Sequence, residues 1–467
     1  MHNGTTLKGP QHVHLVGIGG IGVSALVPLL LQRGYTISGS DPARSAITHR
    51  LEAMGVRVMD EHQAANVEGA TLVVASSAIS PSNPEILAAQ TRQIPIWPRA
   101  KMLGHLLEPY TSLVITGTHG KTTTTAMATQ VLLDCGMDPT AFIGGEIPAL
   151  GGNARIGTGA WAVAEGDESD GSFTYLHPTI ALVNNIDADH LDFYPDLGAI
   201  IAQFKRFLTG IEPNGWILYS ADWPACAEAI QGMTAQTLSY GFSAGAAVQG
   251  IQYTATGENP GCDVLYQGRL LGHLRLSLGG QANYHNALGI LALAQVLNLP
   301  LEPVFSSLSR FTGVQRRMEL KGTAAGVTVI DDYAHHPTEI KATIQALRER
   351  YPHRLRGVFQ PHLYSRTQKL AVEFGQAFLG LDELVLMDIY PAREKPVPGM
   401  TGEILLEPIR QSGVTVRYLP NQDDIIPYLA ETAQEGETVV TLGAGSVWHV
   451  GEMLLQNLQE RRTNSHE

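Results

Sequence analysis

Two glycine-rich stretches in this sequence have the residue types and spacing of phosphate-binding loops. Near the N-terminus, "HLVGIGGIGVSAL" carries Gly17, Gly19 and Gly22 in the pattern G-x-G-x-x-G, and Asp41 follows about twenty positions on, the fingerprint of a dinucleotide-binding turn. Farther along, "SLVITGTHGKTTTTAMATQVLL" runs from an apolar strand through Gly117, Thr118, His119, Gly120, Lys121, Thr122 and Thr123 into helical sequence. Backbone N–H groups of such a loop at a helix N-terminus cradle phosphate oxygens; Lys121 would reach the terminal phosphates and the Thr122 hydroxyl would ligate Mg²⁺. The strict P-loop pattern needs a further glycine at position 115, which is Ile115, so this is a shortened variant. A glycine turn that merely precedes a lysine is the competing reading. Strand, loop, helix and threonine run standing together argue against it.

Metal ligands belong at neighbouring strand ends, where open parallel sheets place their ligands. "WAVAEGDESDGSF" puts Glu165 where one strand stops, and "IALVNNIDADHLDFY" puts Asp187, Asp189 and His190 just past another. Mg²⁺ prefers oxygen, so Glu165 suits it, whereas a strand-end histidine such as His190 is more often a hydrogen-bonded structural residue than a ligand.

These residues need a scaffold, and the chain supplies alternating strands and helices. "HVHLVG", "YTISGSD" and "TLVVASSAI" read as buried strands separated by the helical "IGVSALVPLLLQRG" and "RSAITHRLEAMG". A second series starts at "SLVIT", with "WAVAE", "IALVNN" and the helix "NYHNALGILALAQVL". A third follows "FTGVQRRMEL", with strands "VTVID", "LRGVFQP", "ELVLMDIY" and "ETVVTLGAG". The expectation is an α/β protein of three domains over 467 residues. These are an N-terminal Rossmann-like domain (1–108), a central P-loop ATPase-type parallel sheet (109–313) and a C-terminal Rossmann-like domain (314–467).

Composition narrows the partners. With 31 basic against 44 acidic residues the net charge is −13, which disfavours nucleic acid or an acidic membrane surface as a partner. Cys135, Cys226 and Cys262 are too few and scattered for a disulfide framework or a cysteine metal site. "MHNGTTLKGP" has no apolar signal core and "ALVPLLLQ" is too short to span a bilayer, so a reduced cytoplasmic enzyme is expected, monomer or homodimer.

The motifs "GTHGKTTTT", "AEGDESDGSF", "NNIDADHLDFY", "NYHNAL", "GVQRR", "DDYAHHPTE", "FQPHLYSRT", "YPAREKPVPGMTGE" and "TLGAGSVW", in this order after "VGIGGIGVSAL…SGSD", closely resemble the Mur ligase family of peptidoglycan synthesis. Within it they are similar to the branch that adds the first residue, L-alanine, to UDP-N-acetylmuramate. The resemblance spans about His12 to Val450. It implies ATP-driven amide formation: the γ-phosphoryl passes to the lactyl carboxylate, and alanine's amine attacks the acyl phosphate. The first loop then holds a UDP-sugar diphosphate rather than a nicotinamide cofactor, through Gly19, Gly20, Ile21 and Gly22, with Asp41 toward the nucleoside.

By the same resemblance, Gly117, Thr118, Gly120, Lys121 and Thr123 hold ATP phosphates, Thr122 and Glu165 hold Mg²⁺, and His190 serves a second Mg²⁺. His119 counts among the ATP-binding residues and also faces the UDP-sugar, and Asn283 and Asn286, i and i+3 on one helix, reach adenine. Arg317 (or its neighbour Arg316), Asp332, Tyr333 and His335 complete the nucleotide site. His362 and Arg366 meet the amino-acid carboxylate, and Leu363 stands where some members carry a second arginine. Arg393 reads either as a further contact or as an ion pair with Glu394. Lys205 matches a carbamoylated lysine of sister ligases in position but reads as an exposed lysine on an amphipathic helix. Pro337 after His335-His336 marks a helix start rather than a metal pair. With ATP contacts from two domains and the sugar nucleotide on a third, catalysis requires the domains to approach. The ligase that attaches a preformed tripeptide to the same sugar nucleotide shares every motif outside the acceptor pocket.

Overall fold

The computed structural model describes residues 11–147, 150–191, 193–392 and 394–464. They form a three-domain α/β chain that falls into two compact units. One holds the chain up to Asp187 with Gly198–Ser239 and Gln295–Pro303; the other holds Ala188–Leu197, Tyr240–Ala294 and the chain from Val304.

The first unit opens with five parallel strands: β1 (His12–Val16), β2 (Thr36–Ser40), β3 (Arg57–Met59), β4 (Leu72–Ala75) and β5 (Ile96–Pro98), ordered β3-β2-β1-β4-β5. Val13, Leu15, Leu72, Val73 and Val74 are fully buried, as both-face coverage of a parallel sheet requires. The order reverses between β1 and β4, which opens a crevice at their carboxyl ends. "IGVSALVPLLLQRG", read as one helix, is two: Ile21–Ser24 and Val27–Gln32, interrupted at Ala25–Leu26. Pro28 lies in the first turn of the second piece, where its missing N–H is harmless.

The same unit continues with β6 (Thr111–Thr116), β7 (Thr140–Ile147), β8 (Gly152–Arg155), β9 (Trp161–Gly166), β10 (Ile180–Val183) and β11 (Trp216–Ser220), ordered β8-β7-β9-β6-β10-β11 with only β8 antiparallel. Register brings the chemistry together: Ile115 pairs with Glu165, and Thr116 pairs with both Gly166 and Val183. The ends of β9 and β10 therefore flank the loop that follows β6.

In the second unit, Tyr240 and Gly241 at the end of β12 (Gln236–Gly241) pair parallel with β13 (Val248–Thr254), followed by the antiparallel β14 (Gly261–Tyr266) and β15 (Arg269–Leu274). A six-stranded sheet carries the rest: β16 (Glu319–Ala324), β17 (Val327–Asp332), β18 (Leu355–Phe359), β19 (Glu383–Leu386), β20 (Val416–Tyr418) and β21 (Thr438–Leu442), ordered β16-β17-β21-β18-β19-β20. The last strand in sequence thus inserts between β17 and β18, parallel to both. One face packs Ile340, Ile344, Phe374 and Phe378, and the other Ile425, Leu429, Val450 and Leu454.

At the amino ends of these strands Arg356 and Glu437, both fully buried, form an ion pair; Arg356 also donates to Thr432 Oγ1 at 2.7 Å, and Arg354 donates to Glu383 at 2.9 Å. Glu437→Ala leaves the Arg356 charge buried without its carboxylate. It should cost about 3–5 kcal/mol in urea unfolding of the whole chain, and a loss below about 1 kcal/mol would show the pair to be peripheral.

Candidate functional site

The loop after β6 is shaped by the end of β10. Gly117 has φ +131°, and a Cβ there would lie 2.9 Å from both the amide N and the carbonyl O of Asn185, so only glycine fits. Thr118 N donates to Asn185 O (3.2 Å) and His119 N donates to Asn185 Oδ1 (2.7 Å). Asn184 and Asn185 both donate side-chain N–H to His119 O, at 3.3 and 3.1 Å, and the Asp187 amide donates to Thr118 Oγ1 at 2.9 Å. The expectation that the Thr118 amide points at phosphate is therefore corrected: it and the His119 amide are committed to Asn185. The amides of Gly120, Lys121, Thr122 and Thr123, at the start of the helix Lys121–Asp134, are the loop donors with no acceptor among the described residues. The macrodipole of that helix adds partial positive charge at the same place.

Lys121 Nζ donates to Gly117 O (2.7 Å), Thr118 O (3.2 Å) and Glu168 Oε1 (2.9 Å). Burial alone would lower its pKa. The carboxylates of Glu168, Asp167 and Glu165 outweigh that and raise it, so the ammonium is charged at neutral pH. Thr122 Oγ1 donates to Glu165 Oε2 at 3.1 Å, and Gly144 N donates to the same carboxylate. Two oxygen donors thus converge one residue beyond the lysine, a set that fits Mg²⁺. His119 Nε2 lies 3.1 Å from Asp187 Oδ2. Lys205 stands on the solvent face of the helix Leu197–Leu208, whose buried face is Ile200, Ile201, Phe204, Phe207 and Leu208.

In the N-terminal turn, Gly17 and Ile18 donate their amides to Ser40 O, Gly19 to Asp41 Oδ2 (3.0 Å) and Gly20 to Gly17 O (3.1 Å). Asp41, expected to face a nucleoside, is in this structure the brace of the glycine loop, and it also accepts from Ala43 N at 2.9 Å. The Gly19 and Gly20 amides are turned inward, which leaves those of Ile21 and Gly22 without acceptors among the described residues.

The second unit holds its own polar cluster. Asp189 accepts on Oδ1 from Arg366 Nη2 (2.9 Å) and Nε (3.1 Å) and from the His190 amide (2.7 Å). Burial would raise the Asp189 pKa, but the Arg366 guanidinium, with His190, His336 and His335, holds it well below the carboxylate range. His190 itself has φ 53°. Arg366 Nη1 lies 3.1 Å from His362 Nδ1, and the His362 ring stacks on Tyr390 at 5.9 Å. Arg366 therefore carries one occupied edge, toward Asp189, and one edge beside His362. Leu363 is buried at φ 69°, its amide bonded to Tyr390 O. Glu394 accepts from Ser365 N at 3.1 Å, while Arg393 lies outside the described residues.

Asp332 accepts from Met318 N (2.9 Å) and Ala334 N (2.7 Å); burial pushes its carboxyl up to about 6 against the pull of Arg317. Burial also lowers His335 to about 4, so its ring, bonded to Tyr333 O at 3.0 Å, is neutral at neutral pH. Of the two arginines, Arg316 is committed to the fold, donating to Asp331 (3.1 Å) and Gly443 O (2.7 Å). Arg316 and Arg317 both stand over the Tyr333 ring at 4.9 Å. His336 caps the helix Pro337–Arg350, with Glu339 closing the capping box. Asn286 is buried, and Asn283 donates to Gly279 O at 2.8 Å.

Asn184, Asn185 and Glu168 were not singled out from sequence. Their signal, polar residues directly after two strands, is shared by any loop.

Residues 12–111 match the catalytic domain of the Mur ligase family, 115–294 the Mur ligase middle domain and 316–445 the Mur ligase glutamate ligase domain. The UDP-N-acetylmuramate–L-alanine ligase of Syntrophus aciditrophicus is 43% identical over 451 residues, covering 96% of this chain and 94% of that protein. The ligase of the same name from Desulfosudis oleivorans is 45% identical over 452 residues, covering 96% and 99%. The crystal structure of the UDP-N-acetylmuramate–alanine ligase of Thermotoga maritima superposes with a TM-score of 0.82 at 27% identity, covering 97% of this chain and all of that one. A murein peptide ligase from Psychrobacter arcticus shares the fold, with a TM-score of 0.73 at 24% identity over 96% and 99% of the two chains.

The Lys121–Glu168 pair yields a test. Lys121→Ala leaves Glu168 buried beside other carboxylates and should destabilise the chain by about 3 kcal/mol. Adding Glu168→Gln should restore most of that in urea unfolding; no recovery in the double variant would contradict the pairing.

Proposed function

The chain belongs to the Mur ligase family and is an ATP-dependent ligase, and from that premise we propose that it joins L-alanine to the lactyl carboxylate of UDP-N-acetylmuramate. The observation that carries this reading is the 43–45% identity, over 96% of the chain, to proteins bearing that name.

A carboxylate is a poor electrophile, so its oxygen must first become a leaving group. In the proposed sequence the lactyl carboxylate attacks the γ-phosphorus of ATP, the bond to the β-phosphate oxygen breaks, and ADP departs. The amine of alanine then adds to the carbonyl carbon of the acyl phosphate. The tetrahedral adduct expels phosphate, and the ammonium proton is lost, giving UDP-N-acetylmuramoyl-L-alanine. The chain's part is positioning and charge neutralisation.

Lys121 and the amides of Gly120 to Thr123 hold the ATP phosphates, and Lys121 exchanges its loop carbonyls for phosphate oxygens as it binds. Thr122 and Glu165 would hold Mg²⁺, with His190 the family's ligand for a second ion; bound there, Mg²⁺ neutralises charge on the phosphate oxygens. Arg317, Asp332 and His335 take the nucleoside, where Asp332, largely ionised at neutral pH, accepts from ribose hydroxyls. Asn283 and Asn286 serve adenine, and His119 the sugar nucleotide. Alanine's carboxylate meets Arg366 on its His362 edge, since Asp189 occupies the other. No helix among the described residues is long and apolar enough to cross a membrane, which accords with ATP and a UDP-linked substrate met in the cytoplasm.

Phosphate release by the purified protein with ATP, Mg²⁺ and UDP-N-acetylmuramate is expected to start only when L-alanine is added. Release with the tripeptide L-alanyl-γ-D-glutamyl-meso-diaminopimelate instead of alanine would assign the chain to tripeptide attachment. Silence with both, from protein that binds ATP, would reject ligation of either.

A further inference from the structure

The N-terminal crevice contains a cation that no motif of the sequence marks. Arg99 is the first residue of the helix Arg99–Leu107, directly after β5. Strand order β1-β4-β5 sets it at the carboxyl edge of the sheet, on the same side as the glycine loop. Its side chain lies across the α-carbon of Gly22: a Cβ on Gly22 would stand 3.1 Å from Arg99 Cδ, 3.2 Å from Nε and 3.5 Å from Cζ. Gly22 has no positive φ to explain its identity. A side chain there would instead meet the arginine.

The guanidinium is half-buried and has no hydrogen bond or ion pair among the described residues. That sets it apart from Arg33, Arg44 and Arg50 of the same unit, each of which donates to a carbonyl or a carboxylate. The residue it crosses, Gly22, and its neighbour Ile21 carry the two amides of the loop left without acceptors. Two neutral donors are a weak match for the roughly two negative charges of a diphosphate, and a guanidinium supplies both the charge and a fork for two phosphate oxygens.

We propose that Arg99 is a diphosphate-binding residue of the sugar-nucleotide site, its guanidinium held over Gly22 to take the phosphate oxygens that the glycine loop alone leaves unneutralised. The inference rests on the reading of this crevice as the UDP-sugar site. It adds a residue specific for the second phosphate, so UDP should lose more than UMP when the charge is removed.

Calorimetric titration with UDP and with UMP tests it on the full chain. Arg99→Gln keeps the stem on Gly22 and removes the charge; UDP affinity should fall about ten- to a hundred-fold, UMP affinity by less, and ATP affinity not at all. Arg99→Lys, which keeps charge without the fork, should fall between. Gly22→Ala, which leaves every charge in place and pushes the arginine aside, should weaken UDP in the same direction. Binding of UDP to Arg99→Gln within two-fold of the unaltered protein overturns the role of Arg99 and leaves the ligase reading intact. Failure of the unaltered protein to bind UDP overturns both.

Discussion

The hold of Asn185 on the loop after β6 is the constraint on which the nucleotide chemistry depends. A loop that is to bind phosphate must keep some amides free, and a short loop cannot keep them free and stay rigid unless others are tied down. Here two amides and the His119 carbonyl are fixed to Asn184 and Asn185, so the next four point where the helix dipole adds to them. The positive φ at Gly117 follows from the same contact, because the loop must pass within van der Waals distance of the Asn185 backbone. The lysine, the threonine hydroxyl and the Glu165 carboxylate inherit their positions from that bend.

The N-terminal turn solves the same problem with different material. Its brace is the carboxylate of Asp41 on the Gly19 amide rather than a carboxamide, and again the inward donors leave a small outward set. In both loops the sequence motif marks the whole turn while the geometry divides it into amides tied into the fold and amides with no acceptor among the described residues. A residue such as Thr118 or Gly19 can be indispensable to phosphate binding without touching phosphate. Mutational loss at such positions therefore reports loop shape as well as contact.

Much of this was legible in the chain. Alternation of apolar runs and helical stretches reveals the parallel strands of the three sheets because buried strands and amphipathic helices differ in period. The strand–loop–helix order marks both glycine loops, and Glu165 is recognisable as a carboxylate at a strand end. What local pattern cannot supply is strand order and register. Asn185 matters because β10 lies beside β6, Glu168 because its chain folds back over Lys121, and Arg99 because β5 is two strands from β1. The bonds of Arg316 to Asp331 and Gly443 O were out of reach of local pattern because those partners are 15 and 127 residues away. The break at Ala25–Leu26 within an apolar run was hidden because both halves share one buried face.

The most direct test of the account is the ATP affinity of Asn185→Ala. The substitution removes the acceptor for the His119 amide and one donor to its carbonyl, and it touches neither Lys121 nor the Thr122 and Glu165 oxygens. Calorimetry with Mg²⁺–ATP should show affinity weakened by about ten-fold or more, the worth of one or two hydrogen bonds that fix the loop, with UDP affinity unchanged. ATP affinity equal to that of the unaltered protein would mean that the loop keeps its shape without Asn185, and the central constraint would have to be sought elsewhere.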